Sequence, residues 1–155
     1  MQAATQPNPS QVNSQNQEQF LIVPIFFKKQ IEAIIESKSP SYAFGFFYGT
    51  EQENYRIIKK IWPVNSVDRH GSEVKITRQD FENAKAITQG TNLKLLGCFF
   101  TSDNGGTSKA ILSNNHPNSF SFIRLNEGHN GNVRTWSSSI RYKDSSSVVS
   151  QKVIC

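Results

Sequence analysis

The sequence is poor in the side chains that most often carry chemistry: it has two cysteines and three histidines in 155 residues. Cys98 and Cys155 form no spacing pattern, which excludes the disulfide framework of a small secreted domain. Cys98 stands in an apolar run and is predicted to be a buried structural thiol. The histidines, His70, His116 and His129, fall at irregular spacing in polar loop contexts, which are typical of surface side chains.

Membrane and export signals are missing as well. No apolar run approaches the length of a membrane span, and the N-terminus lacks a basic segment followed by an apolar one, so no secretory signal is predicted. The C-terminal "KVIC" is not a prenylation box, because its cysteine is the last residue. We therefore expect an intracellular, cytoplasmic protein without a membrane span.

The charge is mildly basic but dispersed. The formal net charge is +5, yet the lysines and arginines occur in pairs or singly along the chain. A nucleic-acid-binding domain usually concentrates them in one tract or on one face. The pattern favours a solvated basic surface over a dedicated nucleic-acid site.

The length suits one domain with a substantial core. Residues 1–19 are mostly Gln, Asn, Pro and Ser with almost no apolar content, which predicts a disordered polar tail. The domain is expected to cover residues 20–155, with its core between about 21 and 143.

Hydrophobic periodicity predicts two helices, near residues 27–37 and 78–89, among several strands. The predicted order is β-α-β-β-(β)-α-β-β-β, an α/β or α+β sandwich with a mixed central sheet and two flanking helices. The predicted core consists of Ile31, Ile34, Phe44, Phe46, Ile58, Phe81, Leu95, Cys98, Phe100 and Phe122.

Three local patterns, taken in order, resemble the JAB/MPN (JAMM) domain family. "PSYAFGFFYG" supplies Pro40, Gly45 and Gly49 at the spacing of the family's proline- and glycine-bounded strand. After a helix, "LGCFFTSD" is similar to the strand that carries the family's histidines, and "GNVRTW" resembles a late strand. The resemblance implies a single JAB/MPN-like domain.

Active members of that family hold zinc with two histidines and an aspartate, and a glutamate handles the proton of the zinc-bound water. Carried over by position, the glutamate falls on Tyr42. The first histidine falls on Phe100 and the second on Ser102, with Thr101 between them.

The family's serine and aspartate fall on Ala110 and Ser113, or on Ser108 and Ile111 if the loop is shorter. Neither register supplies a carboxylate, and Asp103 alone would not hold a catalytic zinc ion. The resemblance thus implies a metal-free pseudoenzyme without a cofactor. Its degenerate former site would comprise Tyr42, Phe100, Thr101, Ser102, Asp103, Ser108, Ile111 and Ser113.

The main functional hypothesis is a non-catalytic scaffold subunit, which would bind protein partners such as another MPN-like subunit or a large complex. One alternative is a zinc-dependent (iso)peptidase with relocated ligands, in which His116 or His129 would approach Ser102 and Asp103. The second alternative is a basic nucleic-acid-binding module that uses Arg56, Lys59, Lys60, Arg124 and Arg134.

Overall fold

The computed structural model describes residues 18–38, 43–64, 73–102, 109–112, 119–127, 133–142 and 148–155. The elements in these ranges are β1 (Gln19–Ile22), α1 (Ile25–Lys38), β2 (Phe44–Glu51), β3 (Tyr55–Pro63), β4 (Glu73–Ile76), α2 (Arg78–Ala86), β5 (Lys94–Ser102), β6 (Lys109–Leu112), β7 (Ser119–Glu127), β8 (Val133–Tyr142) and β9 (Val148–Ile154).

Seven of these strands close into a barrel in the order β1-β3-β2-β5-β7-β8-β9, and β9 pairs back to β1. The pairings of β1 with β3, β1 with β9 and β5 with β7 are parallel, whereas the other four are antiparallel. Strands β4 and β6 pair with each other as a separate parallel sheet.

The predicted α/β sandwich of JAB/MPN type, with a central sheet flanked by two helices, is therefore wrong. The sheet closes because the four-residue strand β1 pairs with β3 on one side and with β9 on the other. Hydrophobic alternation indicates that a segment is a strand but not which strand lies beside it. The pairing that closes the barrel was thus not accessible from the pattern.

One apolar cluster fills the barrel interior, since all seven barrel strands contribute to it. Its strand residues are Leu21, Phe47, Ile58, Ile61, Leu96, Phe99, Ile123, Leu125, Trp136 and Val153. Helix α1 packs its apolar face into the same cluster through the fully buried Ile31 and Ile35. The helix is also fastened to β8, because the indole Nε1 of Trp136 donates a hydrogen bond of 3.0 Å to Glu32.

A second apolar cluster lies on the outside of β2, β5 and β7, where α2 covers it with Phe81 and Ala84. The Tyr48 hydroxyl donates to the Ala84 carbonyl at 2.8 Å. This burial raises the pKa of Tyr48 above its ordinary range. A capping box between Thr77 and Asp80 begins the helix, and it satisfies backbone N–H groups that the first turn would otherwise leave unpaired.

The predicted core is confirmed by these two clusters. Eight of the ten residues are buried, and the other two, Ile34 and Phe122, are partly buried against the clusters. Cys98 is fully buried in the outer cluster, as predicted for a structural thiol.

The element boundaries differ slightly from the predicted ones. Helix α1 begins two residues earlier than predicted because the Pro24 carbonyl accepts hydrogen bonds from the amides of Phe27 and Lys28. Gln19, which the sequence assigned to the tail, is a buried residue of β1; residues 1–17 lie outside the described ranges. Neither helix among the described residues is long and apolar enough to cross a membrane.

Candidate functional site

The barrel has two ends with different chemistry. We call the end at which β2 begins and β5 finishes the upper end. The lower end is the one at which β2 finishes and β3, β5 and β7 begin. The positions carried over from the JAB/MPN resemblance include the C-terminal part of β5, at the upper end.

At the upper end, the described part of the predicted degenerate site is engaged in packing and backbone pairing. Phe100 pairs with Phe44 across the two strands and is buried in the outer cluster beneath α2. The Thr101 hydroxyl accepts a hydrogen bond from the Ala43 amide at 3.0 Å, and the Thr101 amide donates to the Ala43 carbonyl at 3.1 Å. The hydroxyl of Thr101 therefore ties β5 to the chain entering β2.

The rest of that predicted site is described only in part. Ser102 ends β5 and Ile111 lies within β6, but their side chains are not described. The positions Tyr42, Asp103, Ser108 and Ser113 lie outside the described residues. Their convergence around a former zinc site stays a prediction.

Metal-ligating residues do not cluster in the described parts of the chain, where no group of three His, Cys, Asp or Glu side chains could hold an ion. All three histidines fall in ranges that are not described. The alternative of a peptidase with ligands relocated to His116 or His129 consequently has no described geometry.

At the lower end, Arg56 extends from β3 across the barrel interior although it is only 2 % exposed. Its Nε donates to Glu51 Oε2 at 3.0 Å. One terminal nitrogen donates to the Leu96 carbonyl at 2.8 Å and to Ser121 Oγ at 2.6 Å. The other donates to the carbonyl and the hydroxyl of Ser119 at 3.3 and 2.9 Å. A guanidinium has five N–H donors, and here each has an acceptor.

Glu51 is the counter-ion of this buried cation and is itself bonded three times. Besides Arg56, it accepts hydrogen bonds from Lys94 Nζ at 2.7 Å and from Ser119 Oγ at 3.0 Å. Burial by itself raises the pKa of Glu51. The hydrogen bond from Lys94, the charges of Arg56 and Lys94 and the Ser119 hydroxyl together outweigh that effect and hold the pKa below its ordinary value. The carboxylate is therefore stabilised in its charged form.

This arrangement joins strands and leaves no donor of the guanidinium for a ligand. Arg56 connects β3 to β2, β5 and β7, so the prediction that it contributes to a nucleic-acid surface is wrong. Of the other residues in that set, Lys59 and Lys60 are exposed and Arg124 is half-buried, whereas the side chain of Arg134 is not described.

The sequence contained a signal for this buried arginine. Arg56 precedes Ile58 by two residues in one strand, and residues two apart point to the same face of a sheet. Because Ile58 is predicted to lie in the core, Arg56 should point into the core as well. The positive charge of Arg56, by contrast, is typical of a surface residue.

The Glu51 carboxylate makes stability depend on pH. A carboxyl whose pKa is lowered by folding stabilises the folded state above its unfolded pKa of about 4.3, and that stabilisation is lost as the pH falls through the folded pKa. We expect Glu51→Gln to lower the urea midpoint at pH 7 and the difference from wild type to shrink progressively below about pH 4. Glu53→Gln, at an exposed carboxylate in the adjoining turn, is the matched control. A difference for Glu51→Gln as large at pH 3 as at pH 7 would contradict the assignment.

A different surface feature lies on the outside of β1, β3 and β9, and we call it the apolar patch. Its strand residues are Phe20, Ile22, Tyr55, Ile57 and Ile154, and we count Ile25 and Phe26 with it because they follow Ile22 by three and four residues at the start of α1. The pairing register places Ile22 between Ile57 and Ile154, and Phe20 beside Tyr55. Their buried neighbours Leu21 and Arg56 point inward, so these side chains face outward.

The start of α1 extends the apolar patch beyond the strands. Ile25 is 56 % exposed and Phe26 is 68 % exposed, and Ile154 is exposed too. The Phe26 ring makes an edge-to-face contact with Phe27 at 5.2 Å between centroids. The carbonyl of Ile154 accepts from the Val23 amide at 2.7 Å, which holds the end of β9 close to the start of α1.

Exposed lysines border the apolar patch at two levels: Lys29 and Lys59 lie towards its upper side, and Lys152 lies beside Phe20, its register partner, in the lower row. Lys29 follows Ile25 by four residues on α1 and so shares its helix face. Lys59 and Lys152 each lie two residues from a patch residue on the same face of their strands. On the lower side, the exposed carboxylates of Glu18 and Glu53 lie next to the starts of β1 and β3.

Comparison with known proteins finds similarity of structure alone. No family model matches the chain, and no curated protein matches it. The solution structure of protein DSY2949 from Desulfitobacterium hafniense is similar, with a TM-score of 0.65 and 16 % sequence identity over 87 % of this chain and 92 % of that one. A solution structure from Salinibacter ruber gives a TM-score of 0.49 and 13 % identity over 87 % of this chain and 90 % of that one. At this identity, the likeness to the Desulfitobacterium protein shows a shared fold and nothing more.

Proposed function

We propose that this chain is a non-catalytic protein-interaction module that binds an acidic partner protein through the apolar patch. The observation that carries the proposal is the exposure of two adjacent large apolar side chains, Ile25 and Phe26, at the start of α1. Large contiguous apolar patches, especially those rimmed by polar residues, mark sites of protein–protein interaction. The patch also has the anatomy of an interface, with aromatic and aliphatic anchors at the centre and charged side chains at the edge.

The charge of the chain supports an acidic partner. The lysines at positions 29, 59 and 152 border the patch, and the chain has a net charge of +5. Two copies placed patch to patch with upper side against upper side would bring these lysines together, and like charges facing each other disfavour that arrangement. Carboxylates around an apolar segment of another protein would complement the same border.

Site-specific photocrosslinking tests the proposal directly. A photoreactive phenylalanine analogue at position 26 is expected to capture one protein from the native source. Once that partner is purified, Phe26→Ser is expected to weaken its binding by at least about 30-fold, because interface anchors contribute about 2 kcal/mol or more. The stability of the chain should change little, since the side chain is 68 % exposed.

Val148→Ser is the matched control for that experiment. Val148 is another large apolar side chain, 54 % exposed, but it lies at the start of β9, away from Ile154 and the patch. Binding should survive this substitution. Equal weakening by both variants, capture of RNA or DNA instead of a protein, or a stable homodimer lost with Phe26→Ser would each overturn the proposal.

A further inference from the structure

One buried polar group in the described part of the chain has no partner. Gln151 lies on β9 and is 6 % exposed. Its Oε1 accepts a hydrogen bond from Ser138 Oγ at 2.9 Å. The amide nitrogen of the same side chain is inaccessible to solvent and meets no hydrogen-bond acceptor among the described residues.

The surroundings of Gln151 are polar on both sides. The pairing register places it between Gln19 on β1 and Ser138 on β8, and both of those residues are more than nine-tenths buried. Gln19 shares its strand face with the buried Leu21, and Ser138 shares its strand face with the buried Ile140. All four side chains therefore lie on the inner face of the barrel wall. The group thus forms a polar spot next to the apolar Leu21 and Ile140.

Leaving a donor unpaired in such a place is costly. A buried polar group without a partner destabilises a protein, and native structures pair the great majority of such groups with protein or ordered water. The Gln151 amide carries two N–H groups, and so the cost would apply to both.

Turning the amide over does not remove the problem. If the nitrogen and oxygen of Gln151 exchange places, the nitrogen donates to Ser138 Oγ and the carbonyl oxygen becomes the group without a partner. The missing partner must accept in one orientation and donate in the other. Water does both, and a molecule of this kind is the usual partner of buried groups that the protein leaves unpaired.

We propose that the inner wall of the barrel beneath β1 binds one internal water molecule, which is held by the Gln151 amide and the hydroxyl of Ser138. The Gln151 amide and its register neighbours Gln19 and Ser138 are uncharged, which suits a neutral molecule such as water. The proposed site is distinct from the apolar patch, because it lies on the inner rather than the outer face of β9.

Water-selective nuclear Overhauser and rotating-frame spectra of the full chain, labelled with nitrogen-15, test this inference. The two side-chain amide protons of Gln151 are expected to show cross-peaks to water with the sign of a long-lived, protein-bound molecule. The exposed Gln30 on α1 is the internal reference and should show only the signature of surface hydration.

The wild-type spectrum decides the matter even if a variant fails to fold. Gln151 amide protons without a water cross-peak, beside a normal Gln30 signal, would overturn the proposal. Gln151→Met keeps the length of the side chain but cannot bond to water, so in this variant the bound-water cross-peaks of neighbouring protons should disappear. If these cross-peaks persisted in Gln151→Met, the trapped water would be held by other groups. That result would also contradict the proposed site.

Discussion

Replacing Arg56 with methionine is expected to lower the free energy of unfolding by about 3–5 kcal/mol, the range seen when one partner of a buried ion pair is removed. Methionine fills part of the arginine stem but donates no hydrogen bonds. It would leave the Leu96 carbonyl and the carbonyl of Ser119 without their side-chain donor, and it would remove the buried charge facing Glu51. Equilibrium urea unfolding of both proteins measures the loss.

Arg56→Lys separates the charge from the hydrogen-bond geometry. An ammonium keeps the positive charge but has three donors instead of five and no planar fork. It can satisfy Glu51 or the β7 acceptors, but not all of the partners that the guanidinium reaches on three strands. We therefore expect Arg56→Lys to be destabilised as well, but less than Arg56→Met.

Lys94→Met is the control, because it removes the other cation that contacts Glu51. The Lys94 side chain is 57 % exposed, and exposed ion pairs contribute only about 0–1 kcal/mol. If Lys94→Met cost as much as Arg56→Met, the carboxylate and not the cross-barrel bonding of the arginine would be the source of the stability.

Pairing Arg56→Met with Glu51→Met tests the coupling between the two side chains. Removing both partners of a buried pair often costs less than removing one, so the double variant should be more stable than the sum of the two losses predicts. Strict additivity would contradict the ion pair.

Local patterns in the sequence were sufficient for the elements and the core but not for the architecture. The capping residues Thr77 and Asp80 lie just before and within the first turn of the helix that they begin, so a helix there could be predicted from a few adjacent residues. The closure of the barrel depends on β1 meeting β9, and these strands lie at opposite ends of the chain. Nothing within either segment specifies the other, which is why a sandwich was predicted.

The candidate sites also differ in whether adjacent residues are enough to predict them. The JAB/MPN resemblance predicted a former site that includes Phe100 and Thr101, and in the structure these two residues are engaged in packing and strand pairing. The apolar patch could not be predicted, because Ile22 and Ile154 look like ordinary strand residues in the sequence. Only the pairing of β1 with β9 shows that they lie side by side. Which face of a strand remains uncovered is decided by the elements that pack on it, and these come from elsewhere in the chain.

Gly49→Ala is expected to destabilise the fold by at least the upper end of the range of about 1–3 kcal/mol that overpacking costs. A Cβ atom at Gly49 would clash with the carbonyl oxygen of Ile57 on the paired strand and would lie 3.1 Å from the Leu96 side chain. The clash is with the backbone of a neighbouring strand, at the place where the β2–β3 register shifts. It cannot be relieved by a rotamer change, and the strands would have to separate.

Gly90→Ala is the control variant. It separates the effect of the close strand contact at Gly49 from the general effect of replacing a glycine with alanine. Gly90 follows α2 with a φ of +82°, and an added Cβ would meet nothing within 4 Å. Its substitution costs only the backbone strain of a left-handed conformation, about 1–2 kcal/mol. Urea unfolding should therefore rank the proteins as wild type, then Gly90→Ala, then Gly49→Ala, and the Gly49 variant should show the greater exposure of apolar surface. The reverse order, or equal losses, would mean that β2 and β3 are not packed as closely at Gly49 as the structure has them.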